Sequence, residues 1–452
     1  MKLSKLLKPI THVCKDADFE VVNVTSDIDE VTRNSVFIPI KGVSFDSHIY
    51  IDEALKRGAY VVRETNNNQI SGILKQRFIG NPCESMICIG VIGTNGKSSV
   101  VHYLRNFLKD YKVGTIVNAS FMINDEILMK LNNTTPSSEE LMKIMQLCKE
   151  EYCEYFIMEI SSHSIKQERI AGLSFDTLIY TNISQDHLDY HDSIMEYTST
   201  KIMGVSYLKK NGFILCNDDN LRKMLERNYK RVINIKEKYS YNSYLDSYRR
   251  ILTINNKHIE LKVLSEFDVE NIMFAYAYMC ENDFNTMDIY DYMINMKGLE
   301  GRMELIYHDS FNIVIDYAHT YMAYYELCKY VSNINEQKIL VFGLGGNRDE
   351  YKRSMIGKLV NKYFDYVIVT SDNIRNENPE KICGEIAADM NNNYIIIINR
   401  EEAIRKAISI IENNGIIIIA GKGNEEFQIV GNKKIPFKDK DIVYKILNEE
   451  EV

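Results

Sequence analysis

Residues 86–110 read MICIGVIGTNGKSSVVHYLRNFLKD, an apolar strand pattern, a glycine-bearing turn and a helical pattern in direct succession. This juncture restricts the fold more than any other segment. A buried strand that feeds a helix through Gly93-Thr94-Asn95-Gly96 belongs to a βα unit, and such units build parallel sheets covered on both faces. The same turn restricts the chemistry, because its backbone N–H groups and the helix N-terminus can wrap phosphate oxygens. Lys97 then supplies charge opposite the β and γ positions of a nucleotide, Ser98 a hydroxyl for Mg2+, and Ser99 the next turn of helix. Val91 stands where the strict P-loop pattern has its first glycine, so the loop is a variant of that pattern. The plain alternative is a glycine turn that happens to precede a lysine; the strand, turn and helix around it favour the phosphate loop.

The rest of the chain repeats this alternation. Short strands are expected at 19–25, 35–40 and 59–63, with IYIDEALKRG as a helix between the last two. Further strands are expected at YFIMEI (155–160), TLIYTNI (177–183) and FILCN (213–217), and residues 229–266 read as irregular and strand-rich. After GLEGRME (298–304) come NIVIDYA, KILVFGLG, YVIVTSD, YIIIINR and IIIIAGK, a second Rossmann-like set in chain order. Nearly every strand of that set runs into a polar cluster, and the carboxyl ends of parallel strands are where open α/β sheets hold ligands. The predicted architecture is therefore α/β in three domains. They are a small N-terminal α/β domain (1–86), a central ATPase domain of P-loop type with a mostly parallel sheet (87–301), and a C-terminal Rossmann-like domain (302–452).

Composition narrows the partners. Apolar residues make up 45% of the chain and charged residues 26%, enough for several buried cores and against wholesale disorder. With 54 Lys+Arg against 63 Asp+Glu the net charge is −9, which argues against an extended nucleic-acid footprint. No run nears the roughly 18 apolar residues of a membrane span, and the apolar stretch at the start is too short for a signal peptide. A cytoplasmic protein without membrane insertion is expected. Nine cysteines, an odd number with no CxxC pair, suggest reduced and mostly buried thiols.

Two further clusters follow strands of the central region. One is Met158-Glu159-Ile160-Ser161-Ser162-His163 with Gln167 and Arg169 beyond it, and Glu159 is a hard oxygen donor placed where a phosphate-bound metal needs one. The other is TNISQDHLDYH (181–191), then Glu196-Tyr197 and Lys201. Taken singly, His187 reads as a structural histidine and Lys201 as a solvated helix face. Together with NTTP (133–136), NDDN (217–220), GRME (301–304), DYAHT (316–320), FGLGGNRD (342–349), SDNIRNENP (371–379) and AGKGNEEFQ (420–428), the series resembles the Mur ligases. These are ATP-dependent amide-forming enzymes of peptidoglycan precursor synthesis, and the branch most similar is the tripeptide synthetases.

The resemblance implies that ATP phosphorylates a substrate carboxylate and that an amino group then attacks the acyl phosphate. It implies Gly93 to Ser99 on the nucleotide phosphates, with Asn271, Arg302 and Asp316 also on ATP-binding positions, and a site assembled by domain closure. Lys97, Glu159, His187 and Lys201 take the catalytic positions; Ser98, Glu159, His187 and a carbamylated Lys201 would hold two Mg2+ ions. Thr134, Thr135, Ser161, Gln167 and Arg169 match acceptor-binding positions, although TTPSSEE is also a plausible helix cap. Arg348, Asp372, Asn373, Arg375, Gly421 and Glu425 match the amino-acid pocket, where an arginine at position 375 suits the distal carboxylate of meso-diaminopimelate and repels a lysine ammonium.

Some positions depart from the family pattern. Asp27-Ile28-Asp29 replaces D-S-R of the first domain, so an aspartate stands where relatives carry an arginine beside a pyrophosphate. Asp46-Ser47-His48 replaces D-G-H, Tyr321 and Ile374 replace prolines, and Asn424 replaces the histidine of G-K-G-H-E. The expected reaction is ATP-dependent addition of an amino acid, foremost meso-diaminopimelate, to the D-Glu carboxylate of UDP-MurNAc-L-Ala-D-Glu by a monomer. The alternative is a paralogue that joins an amino acid to a different, non-UDP carboxylate.

Overall fold

The computed structural model describes residues 1–8, 18–42, 45–63, 67–184, 190–246, 249–296, 298–307, 310–391 and 393–450. His187 and Cys14 lie outside the described residues. The chain divides into two compact units, one of Met1–Tyr241, Ile254–Asn256 and Glu270–Met293, the other of Asn242–Thr253, Lys257–Val269 and Ile294–Val452. The fold is α/β, as the alternation of patterns predicts.

The first unit holds two sheets. Strands β1 (Asn23–Thr25), β2 (Ser35–Phe37) and β3 (Tyr60–Val61) pair in parallel around a small core that includes Leu3, Val24, Val36 and Leu74. The large sheet has the order β11-β10-β9-β4-β8-β5-β6-β7. Its strands are β4 (Ile87–Ile92), β5 (Val113–Val117), β6 (Ser120–Ile123), β7 (Glu126–Lys130), β8 (Tyr155–Ile160), β9 (Phe175–Tyr180), β10 (Leu208–Cys216) and β11 (Val232–Asn234). All are parallel except β6 and β7, an antiparallel hairpin at one edge. Every residue of β8, YFIMEI, is buried, which is why it is apolar at every position but Glu159.

Register decides what the sheet presents. Ile92 of β4 pairs with Ile160 of β8 and with Tyr180 of β9. The next residues, Gly93, Ser161 and Thr181, therefore leave three adjacent strands side by side. The small and large sheets are fastened by a buried ion pair: Lys75, fully buried on the helix Asn67–Phe78, binds Glu139 and donates to Ser26 Oγ at 3.0 Å. Burial lowers the Lys75 pKa and the Glu139 carboxylate opposes that shift.

Strands β12 (Tyr241–Asp246), β13 (Arg249–Ile254) and β14 (Lys257–Leu261) form a separate three-stranded sheet. The second unit is built on a sheet of order β15-β16-β20-β17-β18-β19, from β15 (Glu304–Tyr307), β16 (Asn312–Asp316), β17 (Lys338–Phe342), β18 (Tyr366–Val369), β19 (Tyr394–Ile396) and β20 (Ile416–Ala420). The five expected strands are all present and parallel, but the last, β20, inserts between the first two, and β15 adds an antiparallel edge. Phe342 pairs with Ala420 and with Val369, and Ala420 with Asp316, so these strands also end together. A last hairpin, β21 (Phe427–Val430) and β22 (Lys433–Pro436), follows. The described cysteines carry no disulfide, and most are buried. No helix among the described residues is long and apolar enough to cross a membrane.

In the second unit the fully buried Arg400 donates to Asp439 at 2.7 and 2.8 Å and to the Ala420 carbonyl at 2.9 Å. Asp439→Asn removes the carboxylate that this guanidinium donates to and is expected to cost about 3–5 kcal/mol, the usual penalty for breaking a buried pair. Urea denaturation measures it, and an unchanged midpoint would show that solvent reaches the pair.

Candidate active site

Three strand ends of the first unit converge on the turn Gly93–Gly96. Gly93 packs so closely on β9's end that a Cβ there would lie 1.8 Å from Thr181 Oγ1. Gly96 has φ +81°, a left-handed conformation that glycine adopts without cost. From it runs the helix Lys97–Phe107, whose buried face carries Val100, Val101, Leu104 and Phe107. No side chain caps this helix, so its first N–H groups and the positive end of its dipole are left for an anion.

The turn is braced from β9. Thr181 Oγ1 donates to the Asn95 carbonyl at 2.6 Å, Asn95 N–H donates to Asn182 Oδ1 at 3.0 Å, and Thr94 N–H to the Asn182 carbonyl at 2.9 Å. Thr94 Oγ1 lies 3.0 Å from the Tyr197 hydroxyl. Reading the residues in order did not assign roles to Thr181, Asn182 or Tyr197; the TNIS run directly after an apolar strand was the available signal.

Around the turn stand the other sequence-predicted groups. Ser98 Oγ donates to Glu159 Oε1 at 3.0 Å, and Asn118 N–H donates to the same oxygen at 3.0 Å. Glu159 is only 2% exposed, a carboxylate held inside the sheet edge by its place at the end of β8. Lys97 Nζ donates to the carbonyls of Gly93 and Thr94, each at 3.0 Å. Lys201 Nζ donates to the same Gly93 carbonyl at 2.6 Å and lies 4.7 Å from the centroid of the Tyr197 ring. At 2% exposure Lys201 is no solvated helix face. Asn271, buried on the helix Glu266–Glu281, reaches the turn as well, since a Cβ on Gly96 would meet its Oδ1 at 2.5 Å.

The predicted acceptor positions are also gathered in this unit. Arg169 Nη1 donates to the Thr135 carbonyl at 2.5 Å, Thr135 Oγ1 donates to the Glu159 carbonyl at 3.0 Å, and Ser161 N–H donates to Thr135 Oγ1 at 3.0 Å. Burial lowers the Arg169 pKa, which Tyr190 and Glu140 oppose. Gln167 donates to the Tyr190 hydroxyl at 3.0 Å, and Thr134 is exposed. The helix-cap alternative for TTPSSEE resolves onto Ser137, which forms a capping box with Glu140 and leaves both threonines outside the cap.

In the second unit, the carboxyl edge collects a different set. Arg302 stacks on the Tyr317 ring at 4.4 Å. Asp316 accepts from the N–H groups of Met303 and Ala318, each at 2.8 Å; burial raises its pKa and Arg302 opposes that rise. Asp372 is raised by burial too, against Arg400 and Lys422. Asn373 Nδ2 donates to Glu425 Oε2 at 2.8 Å. Arg375 adopts φ +51° and donates from Nη1 to the Gly346 carbonyl at 2.8 Å. Gly421, at φ +115°, lets the chain pass Asp372, whose Oδ2 a Cβ would approach to 3.1 Å. Arg348 is exposed on the loop after β17. Among the described residues no cluster of three His, Cys, Asp or Glu side chains forms a metal site.

Gly96→Ala tests the turn. The left-handed backbone costs about 1–2 kcal/mol for a residue with a Cβ, and the clash with Asn271 adds to it. Thermal unfolding should show the loss, and Asn271→Ala should recover only the clash; full recovery would mean that the left-handed turn carries no strain.

Two family models match the chain in succession. Residues 91–279 match the Mur ligase middle domain and residues 301–423 the Mur ligase glutamate ligase domain. A UDP-N-acetylmuramoyl-L-alanyl-D-glutamate–2,6-diaminopimelate ligase of Caldanaerobacter subterraneus subsp. tengcongensis is 34% identical, with 100% of each chain covered. A relative of the same name from Clostridium acetobutylicum is 30% identical over 99% of this chain and 100% of its own. Among solved structures, a ligase of that name superposes with a TM-score of 0.74 at 22% identity, covering 100% of both chains. The MurF ligase of Thermotoga maritima in complex with ADP gives 0.62 at 18% identity, covering 95% of this chain and 97% of that one.

Proposed function

We infer the reaction from one premise: this chain belongs to the Mur ligase family. It is an ATP-dependent ligase that adds meso-diaminopimelate to the D-Glu carboxylate of UDP-MurNAc-L-Ala-D-Glu. The observation that carries the ATP half is the uncapped helix after Gly93–Gly96, with Lys97 and Ser98 on it and Glu159 beside Ser98. Full-length similarity to relatives named for this substrate pair supports the acceptor and the amino acid, and a non-UDP acceptor is not favoured.

Phosphoryl transfer needs charge placed around the γ-phosphoryl more than covalent help. In this reading the N–H groups at the uncapped start of the helix and the Lys97 side chain receive the phosphates, with Lys97 leaving the loop carbonyls it occupies. Asn271, Arg302 and Asp316 take the remaining ATP positions. The acceptor carboxylate attacks the γ-phosphorus, ADP leaves, and the amine then attacks the acyl carbon and expels phosphate. Thr134, Thr135, Ser161, Gln167 and Arg169 orient the acceptor. Arg348, Asp372, Asn373, Arg375, Gly421 and Glu425 hold the amino acid, Arg375 toward its distal carboxylate.

Hard oxygen donors fit Mg2+, and Ser98 Oγ and the buried Glu159 carboxylate meet at 3.0 Å with that donor chemistry. With His187 and a carbamylated Lys201 they would hold two ions, which when bound neutralise phosphate charge. The surroundings of Lys201 support its carbamylation. Two lysine side chains, Lys97 and Lys201, share one carbonyl, and conversion of the buried amine to a carbamate replaces one of two like charges with an opposite one.

Phosphate release from ATP, with UDP-MurNAc-L-Ala-D-Glu and a panel of meso-diaminopimelate, L-lysine and L-ornithine, tests the reading by mass spectrometry of the products. Release dependent on meso-diaminopimelate is expected, with a loss of about 100-fold or more for Lys97→Ala; release with lysine alone would refute the amino-acid assignment. Lys201→Ala is expected to lose activity and to regain part of it in formate or acetate. Full activity of Lys201→Ala would remove the carbamate from the account.

A further inference from the structure

Lys422 belongs to none of the groups assigned above, yet it is fully buried in the middle of them. It leaves β20 between Gly421 and Gly423, both at positive φ, and Gly423 lies so close to Tyr317 that a Cβ would meet that residue's Cβ at 2.7 Å. The two glycines turn the chain inward, so that a long cationic side chain points back under the sheet edge.

An ammonium group has three protons to donate and no lone pair to accept. Lys422 Nζ lies 2.7 Å from the Phe427 carbonyl, 2.9 Å from Glu425 Oε2 and 3.4 Å from Asn373 Oδ1, with Asp372 Oδ1 at 3.5 Å. These partners use its donors inside the protein and leave none for a substrate. Asn373 is engaged as well: Oδ1 accepts from Ile429 N–H at 2.9 Å, while Nδ2 gives one of its two protons to Glu425 Oε2. One oxygen of Glu425 is therefore gripped by two donors. The other, Oε1, has among the described residues only the Tyr317 hydroxyl, at 3.5 Å. A carboxylate fixed through one oxygen presents the other in a set direction, and a misplacement of an ångström at such a contact is costly.

We propose that Lys422 is a positioning residue for the amino-acid substrate: with Asn373 it clamps Glu425 Oε2 so that Oε1 meets a substrate ammonium. The inference rests on the reading that Glu425 lines the amino-acid pocket. Lys422 does not touch the substrate and acts only through Glu425.

Steady-state kinetics of Lys422→Met, Glu425→Gln and the double variant test it. Lys422→Met should raise the amino-acid KM by about tenfold or more, with the ATP KM within about twofold of wild type. In the Glu425→Gln background the same substitution should add little, because the group it positions has lost its charge. Lys422→Gln, which keeps a polar donor but not the charge, should show a smaller rise with the same dependence on Glu425, which keeps the test open if Lys422→Met fails to fold. An unchanged amino-acid KM, or equal rises in both backgrounds, overturns the proposal. The comparison uses whichever amino acid the wild type turns over, so a wild type that rejects meso-diaminopimelate refutes only the substrate assignment. A wild type that turns over no amino acid overturns both.

Discussion

The absence of a side chain at Gly93 is the constraint on which the first unit's site depends. Thr181 Oγ1 occupies the space a Cβ would need, and that contact lets β9 brace the turn through Asn95. Once the turn is braced, the left-handed Gly96 starts the helix with its N–H groups uncapped. The register of β8, β4 and β9 brings Glu159, at the end of β8, within hydrogen-bond distance of Ser98. Charge then accumulates at one carbonyl, that of Gly93, which takes both Lys97 and Lys201.

The second unit solves a different problem with the same sheet edge. Its strands are almost wholly apolar, so apart from Asp316 at the end of β16 the polar groups of the carboxyl edge come mostly from the loops beyond their ends. Buried ionic contacts hold those loops: Arg400 with Asp439, and Lys422 with Glu425 and Asp372. Such pairs add little net stability compared with apolar packing, and their value lies in direction.

Much of this was legible in the residues. Strands that are apolar at nearly every position, such as YFIMEI with Glu159 as its one charged residue, announce themselves because both faces are buried. The hairpin β6–β7 was not visible: its turn uses Asn124 at φ +51° without a glycine, and β7 leaves Ile127 and Leu128 exposed. Nor was the insertion of β20 between β16 and β17, since five equally apolar strands carry no record of their neighbours. Lys201 was legible only through family resemblance, because its burial arises from a carbonyl 108 residues away in the chain. The departure Asp27-Ile28-Asp29 has a local account: Asp27 accepts from Asp29 N–H at 3.0 Å and caps a short 3-10 turn. Ser26, just before it, is tied to Glu139 and Lys75, so this loop is anchored to the large-sheet region through residues that no motif marks.

The central claim is that the turn at Gly93–Gly96 serves phosphorylation of a carboxylate. Acceptor labelled with oxygen-18 in the D-Glu side-chain carboxylate tests it most directly, with mass spectrometry of the phosphate released on amide formation. The bridging oxygen of an acyl phosphate comes from the carboxylate and departs with phosphorus when the amine attacks. The account predicts one labelled oxygen in each inorganic phosphate. Unlabelled phosphate, or label in AMP, would contradict it.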